Sequence, residues 1–480
     1  MKTIAKNSFF NTVNTILDFA VSIWISMQVS RSLLAEGIGQ IARVQNIVGY
    51  FSTFAGFAIS TYGIREMAQA REKSSDVERL FTELMIINFV TTTCALVAYL
   101  MFGLWSGQGQ SRLYLVCGLT VFFNYLNFDW IFQGNEEYGY IVVRNAVVKI
   151  LTLLAVFIYV KTETDGIKYA LIMSCTAGCT YLVNLTCVHR YVKPVWKKVS
   201  PKKHLKPLLL LASGEFSTSL YTNITITILG RLCSDAEIGY YDRSNAIVTM
   251  ALSIFHAAAW VFFPRLGYYY KTDRRQFCDL MQLELKWVIF LTVPAWSGIL
   301  LLSPEIVTLL YGNAFFPSVN ILRILALLIL VSPIFNVLTY QVILVMRKER
   351  VRVSAYFVAM LGRMGLGILL IPHFGGVGAA AAIIISEAAV GIYLIWKVRQ
   401  LYAFSFPWRV ARATVAGAGV MAISVYGILR LIEGLLLKCI VGVLTGVVVY
   451  GIVNLVLQNE LMIPLLEMTR KRLKFRPWRK

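Results

Sequence analysis

Apolar residues run along this chain in stretches of about 20, separated by short polar connections. A helix needs about 20 mostly apolar residues to cross the hydrocarbon of a bilayer, so each stretch predicts a membrane span. The pattern therefore predicts an all-α, polytopic membrane protein with about 14 transmembrane helices. The windows lie at 8–29, 41–63, 80–103, 113–132, 141–160, 169–188, 208–230, 239–263, 283–302, 318–345, 353–371, 379–396, 411–431 and 438–457.

The first window carries a polar stripe that a simple membrane anchor would not need. Asn7, Asn11, Asn14, Asp18 and Ser22 follow one another at spacings of four, three, four and four residues, which places them on one helix face. A carboxylate at the centre of a membrane helix costs about 2.5 to 3.5 kcal/mol on insertion scales, so this face should not contact lipid. Such amides either bind neighbouring helices or line a wet interior. For the whole stripe we favour the wet interior.

The segment after the first window recurs in the second half of the chain. Residues 31–47 and 231–247, which are 200 positions apart, share an Arg, an Ile, a Gly, an Arg and an Ile in register. An even number of spans separates the copies, so both halves should have the same orientation and enclose a site between them. The predicted parts are two six-helix lobes at 1–192 and 208–400, a basic cytoplasmic linker at 193–207, and the last two helices with a basic cytoplasmic tail at 401–480.

The leading windows of both halves carry hydrophilic stripes. Their polar residues recur every three or four positions, so each helix has one hydrophilic side. Two lobes that enclose a wet cavity require such sides on their leading helices. The stripes are Arg43, Asn46, Tyr50 and Thr53 in the second window, Glu215, Thr218, Ser219 and Thr222 in the seventh, and Asp242, Asn245, Thr249, Ser253, His256 and Trp260 in the eighth.

Composition and charge agree with a membrane protein and indicate its orientation. Hydrophobic residues make up 58% of the chain and charged residues 15%, and the mean hydropathy is +0.66. The net charge of +21 could indicate nucleic-acid binding, but the basic residues concentrate in alternate connections, so they report topology and no nucleic-acid partner is expected. By the positive-inside rule, both termini are cytoplasmic.

The sequence offers no pattern for a metal, a cofactor or covalent catalysis. The 8 cysteines and 4 histidines show no metal-ligand spacing. The chain has no G-x-x-x-x-G-K-[ST] loop and no soluble segment long enough for an ATPase domain. No nucleophile stands with a base in a recognisable pair. We therefore expect no cofactor and no enzymatic activity.

Charges inside the windows indicate the chemistry of a cargo. An anion that crosses a low-dielectric space needs fixed positive charge to replace its hydration, and Arg binds phosphate through two hydrogen bonds. A phosphate-bearing substrate fits the cations inside or at the ends of the windows, which are Arg43, Lys149, Arg243 and Arg363. Amides, hydroxyls and aromatic rings suit sugars, although the same groups also pack ordinary helices.

Three segments carry a resemblance to a known family: 231–247 with Gly239-Tyr240-Tyr241, 311–326 with Tyr311-Gly312-Asn313-Ala314-Phe315, and 373–387 with His373-Phe374-Gly375-Gly376-Val377-Gly378 and then Ser386-Glu387. Through them nearly the whole chain resembles the polysaccharide flippases of the O-antigen exporter type. These form a branch of the multidrug/oligosaccharidyl-lipid/polysaccharide exporter superfamily. The loop at 34–39 departs from the family pattern because it lacks the Gly-Pro often found there.

The resemblance implies translocation of an undecaprenyl-pyrophosphate-linked oligosaccharide from the cytoplasmic to the outer leaflet of a bacterial inner membrane by alternating access. It implies membrane lipids as surroundings and is compatible with association with polysaccharide polymerase and chain-length proteins. Our own hypothesis adds a gradient of H⁺ or Na⁺ as the energy source. Our hypothesis assigns anion contacts to Arg43, Lys149, Arg243 and Arg363, polar cargo contacts to Asn11, Asn14, Asn46, Tyr50, Asn245 and Trp260, and ion coupling to Asp18, Glu215 and Asp242.

Two rival classes stay open. A cation-coupled multidrug exporter of the same architecture would need an acidic, aromatic cavity with few Arg, so the inner cations favour the flippase. A membrane polysaccharide polymerase or ligase would normally present a large outer loop with catalytic residues, whereas every outer connection here is short.

Overall fold

The structure is a computed structural model that describes the backbone of residues 2–70, 74–106, 110–196, 199–346, 348–401 and 406–462. Within these ranges, side chains are described except at 2–16 and at 68, 70, 74, 75, 106, 258, 260, 261, 349 and 401. About 90% of the described residues are helical, and no strand occurs among them. The prediction of an all-α protein is confirmed.

The described helices follow one another with short connections. Three 3-10 turns, Asn124–Leu126, Glu163–Asp165 and Asn313–Phe315, and a π-helical segment, Val337–Leu344, lie between them. The α-helices are α1 (Lys2–Gly56), α2 (Ile59–Ala70), α3 (Ser74–Ser106), α4 (Ser111–Phe123), α5 (Asp129–Gly134), α6 (Tyr138–Tyr159), α7 (Gly166–Val188), α8 (Lys202–Leu232), α9 (Asp235–Thr272), α10 (Arg274–Tyr311), α11 (Ser318–Leu325), α12 (Leu327–Asn336), α13 (Glu349–Leu401), α14 (Trp408–Leu431) and α15 (Leu435–Val456).

The two longest helices are each broken near the middle. Leu34 interrupts α1 with φ 56°, and Gly375 interrupts α13 with φ 53°. Both breaks fall between two predicted windows, and Gly adopts positive φ without the steric cost that a side chain adds. The halves of α13 run antiparallel, since Ser354 bonds Tyr393 across 2.6 Å although the two lie on opposite sides of Gly375.

Among the described residues, nine helices are long and apolar enough to cross a membrane, or ten with the bent pair in α9. Two of the nine cover 17–67 and 350–400. The second contains the windows 353–371 and 379–396, and the first contains 41–63 and the last part of 8–29. The chain is therefore a polytopic membrane protein, as predicted. Helix α8 falls outside this set because its Ser, Thr and Asn residues lower its hydropathy.

Two predicted windows are not continuous helices. The window at 113–132 is divided into α4, a 3-10 turn and α5, and the break begins at Asn124, whose side chain donates to Asn88 of α3. The window at 318–345 consists of α11, α12 and the π-helical segment, and it contains Pro333, which cannot donate a backbone hydrogen bond. A polar side chain marks the break of the first window, whereas in the second window Pro333 lies inside α12 and no break falls at it.

Packing divides the chain into two compact units, 1–239 and 240–480. In the first unit, Trp130, Phe132 and Leu208 belong to a buried apolar cluster. In the second unit, Phe290 and Tyr450 belong to another such cluster, which joins α10 to the last two helices. This division describes packing, while the predicted lobes rest on the internal repeat, so the lobe boundaries stay a prediction.

Candidate functional site

Hydrogen bonds between polar side chains join the second half of α1 and α2 to α8, and we call this row the polar seam. Residue numbers rise along α1 and α2 as they fall along α8, so the helices are antiparallel. The polar residues of the second and seventh windows recur every three or four positions, so they lie on one side of each helix, and these two sides face each other here. The bonds are Asn46 to Thr227 (2.8 Å), Tyr50 to Thr227 (2.9 Å), Thr53 to Ser219 (3.2 Å), Thr61 to Glu215 (2.8 Å) and Tyr62 to His204 (2.7 Å).

One end of the polar seam opens into a cavity of about 340 Å³, which we call the seam pocket. Arg43 donates to the side chains of Gln110 (3.0 Å) and Asp235 (3.3 Å) at its edge. The pocket contains two guanidinium groups, several neutral donors and acceptors, and aromatic surface. Its lining residues include Arg43, Asn46, Gln110, Tyr114, Thr227 and Arg231.

Beside the seam pocket, the two copies of the internal repeat contact each other reciprocally. A Cβ placed on Gly39 would overlap the backbone carbonyl of Asp235, and a Cβ placed on Gly239 would overlap the backbone carbonyl of Ala35. Positions 35 and 235, like 39 and 239, are equivalent in the repeat. Glycine is therefore required at both positions for this close approach of α1 and α9.

Asp18 and Lys149, predicted for ion coupling and anion contact, form an ion pair between α1 and α6. Their side chains are 38% and 30% exposed, respectively, so neither is enclosed in a dry core. Gln28 of α1 also donates to the Val160 carbonyl beyond the end of α6 (3.1 Å). The first half of α1 and α6 therefore run in the same direction.

The other two predicted anion contacts also have carboxylate partners. Arg243 binds its neighbour Asp242 at 2.7 Å and lies over the ring of Tyr311. Arg363 binds Glu387 at 2.5 Å between the halves of α13, and their side chains are only 8% and 11% exposed. Each of the four cations therefore has an acidic partner in this structure. A cargo phosphate would have to compete with that partner.

The remaining predicted residues fall into three groups. Asn46 is buried and Glu215 is bonded to Thr61, so for these two the structure shows contacts between helices. Asn245 is half-buried on α9, and its backbone carbonyl accepts from Thr249. The side chains of Asn11, Asn14 and Trp260 lie outside the described residues.

Sequence reasoning missed several partners that the fold supplies. Asp235 and Glu387 were not assigned a role, although they hold Arg43 and Arg363. Arg144 of α6 also has a partner of this kind: its side chain is 3% exposed and binds Asp129 of α5 at 2.6 Å.

Among the described residues, no group of three or more His, Cys, Asp or Glu side chains could hold a metal ion. The side chains of the seam pocket and the polar seam offer hydrogen bonding and ion-pair exchange. Both suit reversible binding of a polar, anionic molecule.

Comparisons with known proteins identify the family of this chain. A family model described as polysaccharide biosynthesis protein matches residues 4–269. A protein of Shigella dysenteriae named as an O-antigen transporter is 20% identical over 386 residues, which cover 77% of this chain and 93% of the relative. A protein of Haloferax volcanii named as a low-salt glycan biosynthesis flippase is 22% identical over 50% of this chain and 51% of the relative.

Two solved structures share the fold. A lipid II flippase in an inward closed conformation has a TM-score of 0.77 at 15% identity, over 95% of this chain and 100% of that chain. An inward-facing multidrug transporter has a TM-score of 0.64 at 15% identity, over 81% of this chain and 95% of that chain. The resemblance to polysaccharide flippases is confirmed. The chain belongs to the polysaccharide biosynthesis protein family and has the fold of the multidrug/oligosaccharidyl-lipid/polysaccharide exporter superfamily.

Proposed function

We propose that this protein moves a polyprenyl-pyrophosphate-linked oligosaccharide, an O-antigen or similar surface-polysaccharide unit, from the cytoplasmic to the outer leaflet of a bacterial inner membrane. Relatives named as O-antigen transporters and as a glycan biosynthesis flippase support this cargo. The fold shared with a lipid II flippase supports the transport of a lipid-linked molecule. The basic connections support cytoplasmic termini.

The observation that carries the proposal is the seam pocket with Arg43 at its edge. The guanidinium groups of Arg43 and Arg231 line this pocket together with amides, a hydroxyl and an aromatic ring. The pyrophosphate would bind the guanidinium groups, while the sugar would bind the neutral groups. A pyrophosphate carries more than one negative charge and therefore competes with the single carboxylate of Asp235 for Arg43.

This competition gives the ion pairs a role in alternating access. The Arg43–Asp235 pair joins α1 to α9 next to the reciprocal glycine contact. When the cargo takes Arg43, Asp235 loses its cation and the contact between the repeat copies weakens. Cargo binding would thus favour the separation of α1 from α9. A ligand shifts such an equilibrium only by its difference in affinity between the two states.

Ion coupling in this proposal begins at Asp18. A proton or Na⁺ that binds the Asp18 carboxylate releases Lys149, which becomes available to the cargo phosphate. Glu215 and Asp242 would act as further cation sites. Arg243 and Arg363 would provide anion contacts only after exchange with their partners. Arg43 and Lys149 keep about a third of their side chains exposed, so they are the more accessible cations.

The experiment that tests the pocket compares variants of the full chain in vesicles that contain a labelled lipid-linked oligosaccharide. Arg43→Ala removes charge-assisted hydrogen bonds, each with a net contribution of about 1.5 to 3 kcal/mol. We expect about a tenfold or greater loss in transport rate, with a smaller loss for Arg43→Lys. Arg65→Ala is the control, because its side chain is 70% exposed on α2 and should leave transport unchanged.

Transport by Arg43→Ala at the normal rate would refute the role of the seam pocket. Export of cationic drugs without movement of the oligosaccharide would favour the multidrug exporter, which shares the fold. For coupling, Asp18→Asn should fold normally but lose gradient-driven transport. Normal gradient-driven transport by this variant would refute the coupling role of Asp18.

A further inference from the structure

Glu284 on α10 is a buried carboxylate outside the site described above. Only 1% of its residue surface is exposed. One oxygen, Oε1, accepts a hydrogen bond from the Gln341 amide at 3.1 Å. The same amide nitrogen donates to the backbone carbonyl of Ala259 at 2.7 Å, which ties α9, α10 and the π-helical segment together.

No positive charge compensates this carboxylate among the described residues. Its hydrogen-bond partner is the Gln341 amide, and no described Lys, Arg or His side chain forms an ion pair with it within 4.0 Å. Lys286 on the same helix is bound to Glu460 at 2.6 Å, and Tyr340 on the π-helical segment faces Arg352. His256 of α9, and Arg409 and Arg412 of α14, form no ion pair with Glu284 within 4.0 Å. An ionised carboxylate buried in this way is costly by several kcal/mol.

Two unpartnered polar atoms lie on the bonded side chains Glu284 and Gln341. Glu284 Oε2 and Gln341 Oε1 are buried without a hydrogen-bond partner among the described residues. Native proteins rarely leave such atoms unsatisfied, and a proton shared between these two oxygens would satisfy both.

Gln341 also lies in an unusual backbone segment. It is part of the π-helix Val337–Leu344, which follows Pro333 of α12. π-Helical turns are rare and occur frequently at functional sites. The backbone therefore departs from regular helix at the residue that binds Glu284.

We propose that Glu284 and Gln341 form a proton-binding site in the second unit of the chain. The proton adds to Glu284 Oε2 and converts the carboxylate to a neutral carboxylic acid, so one negative charge disappears and no other bond forms or breaks. The hydroxyl so formed is a donor, and Gln341 Oε1 is an unpartnered acceptor on the neighbouring side chain. The site would be a further cation site for the transport cycle, a role that rests on the proposed function.

Infrared spectroscopy of the purified full chain tests proton binding without any transport assay. At neutral pH, where exposed carboxyl groups are ionised, we expect the absorption of a protonated carboxyl in the wild type. Glu284→Gln, a neutral isostere, should lose an absorption equal to one carboxyl per chain. Asp279→Asn is the matched control, because Asp279 is exposed on the same helix. It should retain the absorption.

Each outcome decides the proposal. A wild type without a protonated carboxyl at neutral pH, or a Glu284→Gln spectrum identical to that of the wild type, overturns it. Replacing choline chloride with sodium chloride at constant pH should change nothing. Loss of the absorption in sodium chloride would show that Na⁺ occupies the site and would overturn its assignment as a proton-binding site. The wild-type measurement keeps the test valid if the variant does not fold, and a failure of oligosaccharide transport leaves the spectrum unchanged.

Discussion

The buried pair Arg363–Glu387 gives the sharpest quantitative prediction. The two charges lie 2.5 Å apart between the halves of α13, and about nine-tenths of each side chain is buried. Replacing Glu387 with Leu or Arg363 with Met removes the ion-pair partner of the other buried charge. Breaking such a pair costs about 3 to 5 kcal/mol, whereas replacing both partners with apolar residues is often neutral or stabilising by about 1 to 4 kcal/mol.

A double-mutant cycle measures this difference. Denaturation midpoints of the purified full chain are compared for the wild type, Arg363→Met, Glu387→Leu and the double variant. We expect each single variant to be strongly destabilised and the double variant to recover most of the loss. Additive effects, with a coupling below about 0.5 kcal/mol, would refute the interpretation of this contact as a buried ion pair.

The same double variant separates structure from cargo binding. If the role of Arg363 is limited to its ion pair with Glu387, a stable double variant should transport normally. If Arg363 also contacts the cargo phosphate, as our hypothesis assigns, the double variant should be stable but slow in transport. Leaflet movement of a labelled lipid-linked oligosaccharide in vesicles distinguishes the two results.

Three further predictions concern the first unit and the start of α9. Gly239→Ala should destabilise the contact between the repeat copies. Gly267→Ala on the same helix, where a Cβ meets open space, should be neutral or stabilising by up to about 1 kcal/mol. Thermal unfolding of the two variants compares these effects, and equal effects would contradict the glycine contact. Arg144→Met should cost about 1.5 to 3 kcal/mol in the same assay, because its carboxylate partner on α5 loses a charged donor; an unchanged midpoint would show that the pair is dispensable. His204→Phe removes two hydrogen bonds that hold the predicted linker to α2 and α3, so trypsin should cleave the linker faster, and an unaltered cleavage rate would argue against this anchoring.

The helix faces could be predicted because the membrane leaves few options for polar groups. Asn46, Tyr50 and Thr53 recur at helical spacing, and lipid cannot satisfy them, so their common face had to meet water or another helix. The structure shows that all three bond to α8. Spacing defines the face but not the neighbour, so the choice between a wet wall and a helix contact required the fold.

The partners of the inner charges could not be predicted for a different reason. Asp235 is 192 residues from Arg43, and no local pattern joins positions so far apart. Glu284 lies at the edge of its window, where a carboxylate could extend to the surface. Only the packing of α9 and the π-helical segment around it reveals that it is buried.

The leaflet position of the lipid-linked oligosaccharide in cells is the most direct test of transport by the seam pocket. Cells that lack this protein should accumulate the lipid-linked oligosaccharide in the cytoplasmic leaflet of the inner membrane. The wild-type chain should restore it to the outer leaflet, and a stably expressed Arg43→Ala chain should not. Normal amounts in the outer leaflet without the protein, or full restoration by Arg43→Ala, would contradict the account.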